Sequence, residues 1–149
     1  MIRRVNEKDV DALIHLMYQY IVDFYRRPRP DVKDVRELIN ILLIHPERGI
    51  QFVAEEDGKL IGFSTLYFTF STTRVKEIAI LNDLFVAPDA RGKKVGEQLF
   101  KESLTFSKNH GYAAMTWETA HDNYHAQSLY EKMGGKQTNS EWLNYEISF

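Results

Sequence analysis

The stretch from Val75 to Thr119 limits the possible folds more than any other part of the chain. Val75 to Val86 is rich in Ile, Leu, Phe and Val and reads as a strand. Ala87-Pro88-Asp89-Ala90-Arg91-Gly92 is a loop, and Val95, Leu99, Phe100 and Leu104 recur at helical spacing until Gly111. Tyr112 to Thr119 then reads as a further strand. A strand, loop, helix and strand in that order predict two parallel neighbours joined by a crossover, which needs a sheet with a helix laid across it.

The remaining elements fit around that unit. Ile2 to Val5 alternates as an edge strand, and Asn6 caps a helix with Asp9 three residues on. Val10, Leu13, Ile14, Met17, Ile21 and Phe24 continue that helix until the stiff basic run Arg26-Arg27-Pro28-Arg29-Pro30 breaks it. Asp31 can cap a second helix carrying Val35, Leu38, Ile39 and Leu42. Gln51 to Glu55 and Lys59 to Phe70 predict antiparallel strands about an Asp57-Gly58 turn. Near the end, Asp122 or Asn123 caps a helix carrying Ala126, Leu129, Tyr130 and Met133, which Gly134-Gly135 terminates. Trp142 to Phe149 alternates as a closing strand. The fold class is α/β (α+β): a mixed, mostly antiparallel sheet with helices on both faces, in one domain over 1–149.

Composition narrows the chemistry. A formal net charge of −2 and a pI near 6.2 predict neither a nucleic-acid nor a membrane partner. With no cysteine, zinc-thiolate sites and thiol acyl-enzymes are excluded, and no metal is expected. Met1-Ile2-Arg3-Arg4-Val5 opens no secretory run and the apolar runs are short, so a cytoplasmic location is expected.

Chemistry concentrates where the strand meets the crossover helix: Leu84-Phe85-Val86-Ala87-Pro88-Asp89-Ala90-Arg91-Gly92-Lys93-Lys94-Val95-Gly96. A helix start offers backbone N–H groups and the positive end of its dipole, a natural seat for a pyrophosphate. Gly92 and Gly96 permit close approach, while Arg91, Lys93 and Lys94 add positive charge. The chain has no G-x-x-x-x-G-K-[ST] run and no G-x-G-x-x-G near its first strand, so neither usual nucleotide loop applies.

Some thirty residues later comes Asn123-Tyr124-His125-Ala126-Gln127-Ser128-Leu129-Tyr130-Glu131-Lys132-Met133-Gly134. In this order the two segments resemble motifs A and B of the GNAT acetyltransferase family, and the likeness extends over the whole chain. Leu81 to Val86 and Thr116 to Thr119 look most like the small histone and polyamine acetyltransferases. The resemblance implies an acetyl-CoA-dependent N-acetyltransferase acting on a small polyamine-like amine or a lysine-bearing protein. It also implies a homodimer and a parallel strand pair that splays apart around the pantetheine arm. Leu84, Phe85 and Val86 would bond that arm through their backbone. The amides of Gly92, Lys93, Lys94, Val95, Gly96 and Glu97 would hold the pyrophosphate beside Arg91, with Asn123 and Ala126 on the cofactor's other side.

Tyr130 aligns with the family tyrosine that protonates the departing thiolate, although its spacing alone suits core packing. A phenol with a pKa near 10 can be that acid at neutral pH. The proton acceptor is less defined, because related enzymes often place a glutamate where this chain has Asn82. Asp83 should face the opposite way unless a bulge intervenes, and Glu118 and His121 are the other candidates. Lys94 stands at the first glycine position of the family turn, where helical dihedrals would let its side chain point away. These two departures motivate an alternative: a catalytically impaired CoA-binding protein with a regulatory or partner-binding role. A purely structural or partner-binding domain is the other alternative.

Overall fold

In the computed structural model, which describes residues 1–138 and 141–149, residues 2–116 build a sheet of five strands in the order β1-β2-β3-β4-β5. The strands are β1 (Ile2–Arg4), β2 (Gly49–Glu56), β3 (Lys59–Ser71), β4 (Lys76–Val86) and β5 (Met115–Thr116). The first four pair antiparallel, and β4 pairs with β5 in parallel through the expected crossover, the helix α3 (Val95–Asn109). The chain folds as two compact units, residues 1–118 and residues 119–149.

Within the first unit, helices cover both faces of the sheet. On one face α1 (Val10–Tyr18) and α2 (Val32–Ile44) bury Leu13, Ile14, Met17, Val35 and Ile39 against Val53, Phe63 and Phe85. The other face receives α3, where Ser103 Oγ meets Ser64 Oγ at 3.0 Å between fully buried Leu99 and Phe100. These small hydroxyls satisfy themselves locally, Ser103 donating to Leu99 O and Ser107 to Ser103 O.

The start of α1 is held by charge. Asn6 and Asp9 form a reciprocal capping box around the short turn Glu7–Asp9, and Asp9 accepts two hydrogen bonds from Arg3 on β1, at 2.7 and 2.8 Å. Arg3 also reaches Glu55 on β2 at 3.0 Å, so one guanidinium ties edge strand, second strand and helix start together. Asp31 caps α2 through Lys33 N, as its position predicts.

Three expectations are corrected. The first helix does not continue as an α-helix to Phe24: Gln19–Phe24 is a π-helical turn, closed by Tyr25 N donating to Tyr20 O at 3.0 Å. The predicted strand from Tyr112 to Thr119 shrinks to Met115–Thr116, because Gly111 (φ +80°) and Tyr112 are used to end α3, Tyr112 N bonding Ser107 O. The predicted closing strand at Trp142 to Phe149 forms no ladder, and Leu143, Tyr145, Ile147 and Phe149 are exposed. Alternation alone supplies no partner for a strand's N–H and C=O groups.

The second unit is built around α4 (Tyr124–Lys132). Asn123 rather than Asp122 is its cap, its Oδ1 accepting from Ala126 N at 3.2 Å. Gln127 Nε2 secures the approach by donating to Ala120 O and His121 O. Gly134, at φ +91°, ends the helix where Gly135 N returns to Tyr130 O. Among the described residues, no helix is long and apolar enough to cross a membrane.

The hydrogen bonds from Arg3 hold the Asp9 carboxyl below its usual range, outweighing burial, which acts the other way. The stability this supplies is fully present above the unfolded-state pKa of about 3.9 and is lost as pH falls through the lower folded value. Asp9→Asn is therefore expected to cost about 2 kcal/mol at neutral pH, with the penalty shrinking in strong acid. Urea midpoints of both proteins across that range check this, and a pH-independent difference contradicts it.

Candidate active site

β4 is paired on both edges at its start and on one edge at its end. Its ladder with β5 covers Ala79↔Met115 and Ile80↔Thr116 only. Its ladder with β3 runs on to Gly62↔Val86. Leu84, Phe85 and Val86 thus sit on a stretch of strand whose outer edge has no strand partner among the described residues. Part of that edge is met by Arg91, whose Nε donates to Val86 O at 3.1 Å while its guanidinium lies 5.8 Å from the Phe85 ring centroid.

The chain then turns sharply. Pro88–Ala90 makes one 3-10 turn, Arg91 is extended, and Gly92 adopts φ +83°. Lys94 is the residue before α3 and also lies in the left-handed region, at φ 62° and ψ 20°. The condition of helical dihedrals is not met there: the backbone has the conformation glycine prefers, adopted by a lysine. From Gln98, which donates to Lys94 O at 3.1 Å, hydrogen bonding along α3 takes over. The amides of Gly92 to Gly96 precede it, as the groups a helix start leaves to be satisfied from outside the helix.

Within this turn Val95 is buried and Gly96 faces the end of β4, where an added Cβ would lie 3.6 Å from Val86 Cγ2. Lys93 Nζ lies 3.8 Å from Glu56 Oε2, an exposed pair that partly offsets its charge. Glu97, in the first turn, pairs with Lys101 at 3.1 Å.

The bulge on which Asp83 depended is present. β3 pairs Thr65 with Asp83 but Leu66 with Leu81, leaving Asn82 as the extra residue. Alternation is reset there, so Asp83 joins the face of Thr65, Phe63 and Phe85, the face covered by α1. Asn82 is exposed and donates to Asp83 Oδ1 at 3.1 Å.

Two tyrosines that the motifs did not mark lie near that carboxylate. Burial, followed by the charge of Asp83, raises both Tyr20 and Tyr67, the latter to about 12. Both phenols therefore stay protonated across the working range. Tyr20 comes from the π-helical turn, whose spacing is invisible in an apolar pattern read at 3.6 residues per turn. The same turn leaves Gln19 Oε1 buried with no hydrogen-bond partner among the described residues.

Glu118 and His121 are exposed. Asn123, Ala126 and Tyr130 lie together on the second unit. Asn123 caps α4, and Ala126 and Tyr130 share its half-buried face with Leu129 and Met133. Among the described residues no cluster of three or more His, Cys, Asp or Glu is placed to hold a metal ion.

Comparison with known proteins gives the chain its family. Residues 14–135 match the model of the acetyltransferase (GNAT) family. The chain belongs to that family. It is 39% identical over 133 residues to the uncharacterized N-acetyltransferase YhfO of Bacillus subtilis, covering 89% of this chain and 87% of that protein. The crystal structure of a probable acetyltransferase superposes with a TM-score of 0.83 at 26% identity, covering 100% of this chain and 97% of that one. An aminoglycoside N-acetyltransferase solved in complex with CoA shares the fold, with a TM-score of 0.73 at 20% identity over 99% of this chain and 100% of that one. Like its family, the protein is an N-acetyltransferase, and the family's acyl donor is acetyl-CoA. The histone and polyamine subgroup is not shown by this relative, which is itself uncharacterized.

The left-handed lysine gives this GNAT turn a testable property. Lys94→Gly removes the Cβ strain, offset in part by a more flexible unfolded chain, and is expected to add up to about 1 kcal/mol of stability. Acetyl-CoA affinity should stay within several-fold. A lower urea midpoint, or loss of binding by calorimetry, contradicts this account of the turn.

Proposed function

We propose that this protein, one acetyltransferase domain over 1–149, moves the acetyl group of acetyl-CoA directly to a primary amine of a small polyamine-like molecule or a lysine side chain. The observation that carries the reading is the outer edge of β4 beyond Ile80↔Thr116, which has no strand partner among the described residues and is continuous with the Gly92–Lys94 turn and the start of α3 at Val95. An extended arm with amide groups matches the first, and a diphosphate matches the second. Family membership and the CoA bound by the aminoglycoside enzyme support the same occupant.

In this proposal the backbone of Leu84, Phe85 and Val86 bonds the pantetheine amides. The amides of Gly92, Lys93, Lys94, Val95, Gly96 and Glu97 hold the pyrophosphate with Arg91 beside it, and Asn123 and Ala126 line the other side. The acceptor nitrogen attacks the thioester carbonyl carbon and the carbon–sulfur bond breaks. Asp83 takes the proton lost by the attacking ammonium, directly or through water, and the bulge at Asn82 favours it over Glu118. The Tyr130 hydroxyl gives its proton to the leaving thiolate. The absence of cysteine suits direct transfer, since no thiol can carry the acetyl group in between. A homodimer in the cytoplasm completes the reading, supported by the resemblance to the family.

The test is acetyl-CoA-dependent thiol release over polyamines, amino acids, aminosugars and lysine peptides, run on the natural protein and Tyr130→Phe. Loss of the phenolic proton is expected to lower turnover by about 10²–10⁴-fold while calorimetric acetyl-CoA affinity is largely kept. Equal turnover in the two proteins removes the acid role from Tyr130. Binding without transfer to any amine contradicts the enzymatic reading.

A further inference from the structure

The π-helical turn gathers aromatic rings beside Asp83. Tyr20 is its centre, 5.4 Å from the Phe63 ring and 5.6 Å from the Phe85 ring below it on the sheet. Phe24 lies parallel to it at 6.3 Å and Tyr25 meets it edge-on at 4.9 Å. A regular α-helix brings i and i+4 together; here i+4 and i+5 both meet Tyr20, which the wider turn permits. Phe63↔Phe85 is followed along the same face of the sheet by Thr65↔Asp83, so the carboxylate is the next group beyond the rings. Tyr67 follows on that face, two residues past Thr65 on β3.

Two features of this cluster are not required by packing. Phe24 and Tyr25 remain 50% and 53% exposed, although the rings they touch are core or half-buried. The charge around them is also divided, acids on one side and arginines on the other. Tyr20 and Tyr67 stay neutral, Asp83 is half-buried at the ring border, and Asp23 in the turn is exposed. Arg26 and Arg27 follow Tyr25 directly, and neither has an ion-pair partner among the described residues.

We infer that Tyr20, Phe24 and Tyr25, with Asp83 and Tyr67, form the acceptor subsite, and that it takes a singly charged primary amine carried on an apolar, preferably aromatic, body. The inference rests on the acetyl-transfer reading and replaces its polyamine-like acceptor with an apolar amine. Asp83 attracts the ammonium, and ring faces within reach add cation–π attraction. The exposed edges of Phe24 and Tyr25 cover the apolar body, removing its surface from water. A polyamine's second ammonium would approach Arg26 and Arg27, which directly follow Tyr25. Phe24 and Tyr25 are then specificity-determining residues, not part of the acetyl-transfer machinery.

The experiment compares kcat/KM for 2-phenylethylamine and spermidine with saturating acetyl-CoA, in the natural protein, Phe24→Ala, Tyr25→Ala and Tyr25→Phe. A preference for 2-phenylethylamine of about ten-fold or more is expected, in the range one apolar contact gives. Each alanine variant should lower that ratio about five-fold or more without changing the KM for acetyl-CoA, and Tyr25→Phe should keep it. A ratio, unlike a rate, is not moved by partial unfolding. Equal or better use of spermidine, or a ratio unmoved in both alanine variants, overturns the subsite while leaving acetyl transfer standing. Turnover with no amine at all overturns both.

Discussion

The divergence of β4 from β5 after two residue pairs is the constraint on which the site depends. Backbone N–H and C=O groups inside a protein need partners, and a strand normally finds them on both sides. Here the first half of β4 does so, while its second half keeps only β3. Arg91 meets one carbonyl of the exposed edge, and the remaining outward groups form a ready template for an extended ligand. Because the same strand leads through Pro88–Ala90 into α3, the edge is followed at once by the amides of a helix start. Under the proposed function, two incomplete hydrogen-bonding surfaces placed end to end would receive a long, amide-rich, diphosphate-bearing acyl donor.

The bulge at Asn82 is the second device. One extra residue on β4 moves Asp83 to the face of α1, where Phe63, Phe85 and the rings of the π-helical turn already lie. A carboxylate that strict alternation would have sent toward α3 is thereby set at the aromatic border. Tertiary packing supports the bulge: Thr65, opposite Asp83, is buried and accepts a hydrogen bond from Gln51 Nε2 at 3.1 Å, fixing the register on that face.

Much of this could be read from residues alone, for identifiable reasons. The parallel crossover, the Asn6, Asp31 and Asn123 caps, the hairpin at Asp57-Gly58 and the glycine end of α4 are local, and their chemistry acts within a few residues. What escaped depends on partners distant in sequence. Asn82 is a bulge only because β3 pairs on either side of it, and no composition marks that. The π-helical turn keeps an apolar pattern close enough to 3.6 residues to pass as α-helix, so Tyr20 went unmarked. Lys94 in a left-handed conformation contradicts the preference of its residue type, which the turn overrides. The alternating tail at Leu143 to Phe149 has a strand's pattern without a strand's partner.

The account stands on the helix-start amides facing a diphosphate. The most direct measurement is the amide spectrum of isotopically labelled protein titrated with CoA and, separately, with pantetheine, which lacks the phosphates. The account predicts large shifts for Gly92 to Gly96 with CoA and far smaller ones with pantetheine, while Leu84 to Val86 respond to both. Amides from Gly92 to Gly96 that stay unmoved by saturating CoA would contradict it.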